Sequence, residues 1–276
     1  MNLRFRGMRG AVSSSVETGQ TPAETRALGA RLGLMVLVSV PAFLIVALLV
    51  VAVEGTWTPL HRLDGSASDN MHRFAVGHPA WVQAMNVISN VGSPTVMRTL
   101  VGVLAVVLWI RHARRLALWA AVTIAGGALI DVVLKAVVGR ARPHFTNPVA
   151  LASGGSFPSG HAFTATLGAG VLLLWVLPLL SARGRVVAWI IAVLVPFAVG
   201  VSRVALGVHW VSDVVGGWLL GVGLLALTAA AFESWRQERG LPRSHPVTEG
   251  VDPEEAHIAV HSQEGTTDRI SGARGE

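Results

Sequence analysis

SRVALGVHWVSD, residues 202–213, lies between two strongly apolar stretches. It places Arg203, His209 and Asp213 where a lipid-facing segment would hold no ionisable group. Such groups are expensive in or beside a bilayer, and a function normally retains them. His209 and Asp213 are four positions apart, so they share a face if the stretch is helical. The carboxylate can then hold one imidazole nitrogen as a donor and leave the other free to attack. The bland alternative is a structural hydrogen-bonded pair between helices.

The rest of the chain sets the context. Of 276 residues, 52% are hydrophobic and only 14% are charged. Soluble domains average about 25% charged residues, so the composition is that of a membrane protein. Cysteine is absent, which excludes disulfides and thiolate chemistry. The net charge of +6 is spread over segment ends and tails rather than one stripe, which argues against nucleic acid as a partner. Of 22 basic residues, 21 are arginine; the one lysine, Lys135, lies in an apolar segment. Taken alone, Lys135 also fits a side chain snorkelling from a helix end.

Six apolar runs approach the roughly 20 residues that a bilayer requires, at about 32–53, 94–110, 116–138, 161–182, 186–206 and 210–232. The expected fold is an all-α integral membrane bundle over 31–232. Residues 1–30 and 233–276 are polar and are expected to be flexible tails. Arginines precede the first span, fill RHARR (111–115) and ARGR (182–185), and follow the sixth. In a six-helix path all four sets fall on one side, which the positive-inside rule makes cytoplasmic. Both termini are then cytoplasmic, and 54–93, 139–160 and 207–209 face outward. In HPAWVQAMNVIS (78–89), Trp81, Met85 and Ile88 recur at helical spacing, so short interfacial helices are expected in the first outer segment, with an ordinary external loop as the alternative. The glycines of GGWLLGVG (216–223) suit close helix packing.

This path gathers ionisable groups at the outer ends of four helices. Lys135 ends the third span, and Arg140 and Arg142 follow it in KAVVGRARP (135–143). SFPSGH (156–161) opens the fourth span. Arg203 closes the fifth, and His209 and Asp213 open the sixth. Lysine and arginine donors suit the oxygens of a phosphoryl group. Ser159 and Gly160 at a helix start would offer free N–H groups and a favourable dipole to an anion. A turn and helix cap without a ligand is the alternative for that segment. Arg140 is expected to face water, with contact to a substrate headgroup as the alternative. Asp131, one turn before Lys135, is expected to pair with it. His61, His72, His78 and His144 show no tight ligand spacing, and no carboxylate cage for Mg²⁺ is evident. No metal and no cofactor are expected.

At these residues the chain resembles a known family. KAVVGRARP, PSGH and SRVALGVHWVSD match, complete and in order, the three-part signature of the type-2 phosphatidic acid phosphatase superfamily. That superfamily also includes the vanadium haloperoxidases; six apolar spans favour its integral-membrane lipid phosphatases. The resemblance implies roles. His209 is the nucleophile that forms a phosphohistidine, Asp213 orients it, and His161 is the general acid. Lys135, Arg142, Ser159, Gly160 and Arg203 bind the phosphate. The implied partners are the bilayer and a lipid phosphate or diphosphate: phosphatidic acid, phosphatidylglycerol phosphate or undecaprenyl diphosphate. The implied place is a bacterial plasma membrane, with the site facing outward. Two rivals stand beside the hydrolase: a phosphotransferase that passes the phosphoryl group to a lipid or sugar hydroxyl, and a non-catalytic lipid-binding or transport protein.

Overall fold

The computed structural model describes residues 22–238. Among these the chain forms eight α-helices: α1 (Pro22–Glu54), α2 (Thr58–Gly77), α3 (Pro79–Val91), α4 (Pro94–Ile110), α5 (Arg114–Val138), α6 (Gly160–Val176), α7 (Ala182–Ala205) and α8 (Val211–Glu238). Six stretches are long and apolar enough to cross a membrane: Leu32–Glu54, Pro79–Ile110, Arg114–Val138, Gly160–Leu179, Ala182–Ala205 and Val211–Arg236. This is the six-span all-α architecture expected from hydropathy. The first and last helices extend beyond the apolar runs, so 22–30 and 233–238 are helical. The remaining parts of the two expected tails, 1–21 and 239–276, lie outside the described residues.

Local chemistry sets the helix ends. The Ser93 hydroxyl accepts from the Val96 N–H, and Pro94 follows it at the first helical position, where its missing N–H is harmless. Gly139 closes α5 in the left-handed conformation, φ 58°, which glycine adopts without a Cβ penalty. Ser159 caps α6 by accepting from the Ala162 N–H.

The helix α6 runs through the centre and packs against α4, α5, α7 and α8, while α1 lies along α8. Phe157, Phe163, Leu167 and Val171 are fully buried at its axis. The helices close tightly on α8, where Gly217 admits the Ser159 carbonyl and Gly221 the Thr166 side chain; a Cβ at either would lie under 3.0 Å from them. Outward, Leu37, Val51, Val122, Leu129, Val137, Ile190 and Val193 are exposed. An apolar surface of that extent is stable against hydrocarbon, not water.

The segment between α1 and α4 forms α2 and α3, and α3 joins α4 in one apolar stretch, Pro79–Ile110, that begins before the second span expected at 94–110. Its two helices fold back on the bundle. Trp81 and Ile88 of α3 pack with buried Met85 on Ala205, Leu206 and Val208, so α3's apolar face covers the end of α7 and the loop leading to His209. Leu60, Asp64, Ser68 and Ala75 form the buried face of α2.

Candidate active site

Three chain segments meet at one end of the bundle. The first is the irregular stretch after α5, which carries Arg140 and Arg142. The second is the entry to α6, and the third runs from the end of α7 to the start of α8. Backbone bonds knit them together: Ser156 N–H donates to the Arg140 carbonyl at 2.8 Å, and Ser159 N–H to the Asp213 carbonyl at 3.0 Å.

His209 is 2% exposed and Asp213 is fully buried. His209 Nδ1 lies 3.3 Å from Asp213 Oδ2. A buried carboxylate is an acceptor, so Nδ1 carries the proton and Nε2 presents its lone pair. Arg142 Nη1 donates to that Nε2 at 2.9 Å. Burial pushes the His209 pKa down to about 4; the Asp213 hydrogen bond and charge oppose this, and the Arg142 and Arg203 charges add to it. The ring is therefore neutral at pH 7.

Arg142 is held in place by backbone. Its Nε donates to the Gly154 carbonyl, its Nη1 to that of Val208, and its Nη2 to those of Ser153 and Gly155, at 2.7–3.1 Å. Burial lowers its pKa, and the charges of Asp213 and Asp131 raise it. Arg203 gives Nη1 to Ser89 Oγ at 2.6 Å, and its buried Nε has no partner among the described residues. Lys135 Nζ pairs with Asp131 Oδ2 at 2.7 Å, as the one-turn spacing anticipates. Lys135 also approaches Gly160 so closely that a Cβ there would stand 2.7 Å from Nζ. His161, in the first turn of α6, is half-buried and feels the charges of Arg203, Lys135 and Arg142. All eight residues singled out from the sequence thus gather at one end of the bundle. A cavity of about 450 Å³ opens beside Arg142, between the 141–154 segment and Leu206–Val208. A second cavity of about 400 Å³, walled by Met97, Leu172, Trp175 and Ile191, offers only apolar side chains and no chemistry.

The expectation for Arg140 is overturned. Its side chain is 7% exposed and does not face water. Nη1 donates to Asp213 Oδ1 at 2.6 Å and Ser212 Oγ at 2.7 Å, and Nη2 donates to Asp64 Oδ2 at 2.7 Å. The stretch after α5 is not helical, and there Arg140 enters the protein beside Arg142. Ser156 Oγ and the Trp210 N–H also donate to Asp213 Oδ2. Asp64 and Ser156 are thus neighbours of the site that the three motifs do not contain, and Ser212 is a motif position to which the sequence assigned no role. His61, His72, His78 and His144 form no metal-ligand set: among the described residues, no group of three or more His, Asp or Glu side chains is arranged to hold a metal. His72 instead stacks on Phe145 at 3.8 Å.

The comparisons with known proteins point the same way. Residues 116–237 match the model of the PAP2 superfamily. Over 114 residues the chain is 40% identical to phosphatidylglycerophosphatase B of Bacillus subtilis, a match that covers 40% of this chain and 55% of that protein. Over 128 residues it is 33% identical to an undecaprenyl-diphosphatase of Sulfolobus acidocaldarius, covering 43% of this chain and 56% of that one. The chain therefore spans about half the length of the curated relatives it matches. A crystal structure of a transmembrane PAP2-type phosphatidylglycerolphosphate phosphatase from Bacillus subtilis superposes with a TM-score of 0.65 at 26% identity, over 75% of this chain and 99% of that one. Residues 116–237 of this multi-pass membrane chain, which carry the three motifs, are thus similar in sequence to the PAP2 superfamily and in fold to one of its transmembrane phosphatases.

Proposed function

We propose that this protein is a membrane lipid phosphatase that hydrolyses a phosphate monoester or diphosphate through a phosphohistidine at His209. One observation carries the reading: His209 is neutral, holds its Nδ1 proton against Asp213, and turns Nε2 toward the cationic wall of Arg142. The names of the relatives, a phosphatidylglycerophosphatase and an undecaprenyl-diphosphatase, support a lipid carrying a terminal phosphate.

The chemistry follows from the geometry. The phosphoryl oxygens sit among Arg142, Arg203 and Lys135 and against the Gly160 N–H at the start of α6; the Ser159 N–H, expected from the sequence to be free for the anion, is instead taken by the Asp213 carbonyl. Arg142 then exchanges its contact with Nε2 for a phosphoryl oxygen. His209 Nε2 attacks phosphorus, and the bond from phosphorus to the bridging oxygen breaks. Asp213 stabilises the charge gained by the imidazole. The negative phosphate favours protonated His161, which delivers its proton to the leaving oxygen. Water next attacks phosphorus, His161 takes the water proton, and the P–N bond breaks to release inorganic phosphate and restore His209.

The arginine asymmetry supports cytoplasmic termini and an outward-facing site at the membrane–water interface. The test is phosphate release by detergent-purified protein in the presence of EDTA. The substrates are phosphatidic acid, phosphatidylglycerol phosphate and undecaprenyl diphosphate, with His209→Ala alongside. Release by wild type alone supports the hydrolase. Consumption of lipid phosphate without free phosphate points to transfer onto a hydroxyl, and a folded protein inert toward all three lipids overturns the reading.

A further inference from the structure

We propose that Asp64, on the outer helix α2, is a positioning residue for the reaction, acting through Arg140 on Asp213. The inference rests on the phosphohistidine reading above.

Asp64 is 1% exposed, and its carboxylate belongs to a closed network. Oδ1 accepts from the Ser212 N–H at 2.9 Å, one of the N–H groups that the first turn of α8 leaves without a helical partner. Oδ2 accepts from the Ser212 hydroxyl and from Arg140 Nη2. Arg140 is thereby shared between two carboxylates, Asp64 through one nitrogen and Asp213 through the other. Its guanidinium also lies over the Trp210 ring, 5.4 Å from the centroid.

Two consequences follow. The first is orientation. Asp213 Oδ1 is tied to Arg140, and Oδ2 receives Ser156 and Trp210, so the carboxylate cannot rotate away from His209 Nδ1. Asp64 anchors the other arm of Arg140 and so helps to hold the nitrogen that binds Oδ1. The second is charge. Two buried carboxylates face one guanidinium, so the network keeps a negative charge beside the imidazole. The positive end of α8 at Ser212 helps to offset the desolvation. Neutralising Asp64 would leave Asp213 alone with Arg140, and its charge would no longer be available to His209. Asp64 does this without touching the reacting atoms, and α2 becomes part of the catalytic apparatus rather than a passive outer loop.

The experiment measures kcat and KM on short-chain phosphatidic acid in detergent micelles. Asp64→Asn keeps shape and removes the charge. A charge-assisted hydrogen bond is worth enough to expect a fall in kcat of about 10- to 100-fold, with KM within about twofold. In an Asp213→Asn background the same change is expected to lower the residual single-turnover rate less than about twofold, because the group it positions is gone. An Asp64→Asn enzyme with wild-type kcat overturns the proposal, as does an equal loss in both backgrounds. If Asp64→Asn does not fold, Ser212→Ala removes one link between Asp64 and Arg140 while keeping every charge. It is expected to lower kcat about 3- to 10-fold at constant KM, and an unchanged kcat overturns the proposal. The two readings fail separately: an active His209→Ala enzyme refutes the phosphohistidine route, whereas a dead His209→Ala beside a fully active Asp64→Asn refutes only the role of Asp64.

Discussion

Gly160→Ala tests the phosphate cradle with a single methyl group. A Cβ at this position would stand 2.7 Å from Lys135 Nζ and 2.9 Å and 3.1 Å from the two oxygens of Asp131. Ordinary contact distances are about 3.5–4.0 Å, so the ammonium must retreat by about 1 Å. Nζ ends a flexible chain, and the fold can absorb the shift; the melting temperature is expected to stay within about 3 °C of wild type. Catalysis has less tolerance. A misplacement of about 1 Å in a binding group lowers rates by up to about 10²-fold, so kcat/KM on phosphatidic acid should fall about 10- to 100-fold. The assay is phosphate release by purified enzyme, with thermal unfolding measured on the same samples. In a Lys135→Met background Gly160→Ala should have little further effect, because the displaced group is already missing. A Gly160→Ala enzyme with wild-type kcat/KM, or equal losses in both backgrounds, would refute the placement of Lys135 at the phosphate.

Further predictions address the triad-like pair, its titration and the packing. Asp213→Asn should lower kcat by about 10³- to 10⁴-fold, as expected when an imidazole loses the carboxylate that sets its tautomer; a loss below tenfold in steady-state assays would argue against that role. His209 has a folded pKa of about 4 against 6.5 for the free side chain, so the unfolded chain takes up its proton first. Wild type should therefore lose up to about 3 kcal/mol of stability relative to His209→Gln as pH falls from 6.5 to 4. Parallel unfolding midpoints for the two proteins across that range would contradict the buried neutral ring. Gly200→Ala sets a methyl 2.4 Å from the Trp218 ring and 2.6 Å from Val214, and the ring is also held by its bond to the Pro196 carbonyl. It should destabilise the protein by about 1–3 kcal/mol in denaturant titrations, and no change would mean that α7 and α8 can separate there at little cost.

The spans were legible in the sequence because each is a long apolar run. The three motif segments were legible because each joins a polar cluster to a helix end, and six spans bring those ends together. Asp131 and Lys135 were legible as a pair because helical spacing is local. Asp64 was not, because its partner Ser212 is 148 positions away and only tertiary packing brings them together. A signal for it existed: Leu60, Asp64 and Ser68 recur every fourth residue, which marks one face of a helix, and an acid on a buried face needs a cation. Arg140 was misread because a charge beside a membrane is ordinarily solvated.

The most direct test of the proposed function is trapping of the phosphoenzyme. Rapid acid-free quenching of wild-type protein after mixing with ³²P-labelled lipid phosphate should leave label on a single histidine, His209. The label should approach one phosphate per active site in the burst, and it should be stable to alkali and lost in acid. His209→Ala should carry none and release no phosphate. Sustained phosphate release without labelled histidine, or turnover by a folded His209→Ala protein, would contradict the phosphohistidine mechanism.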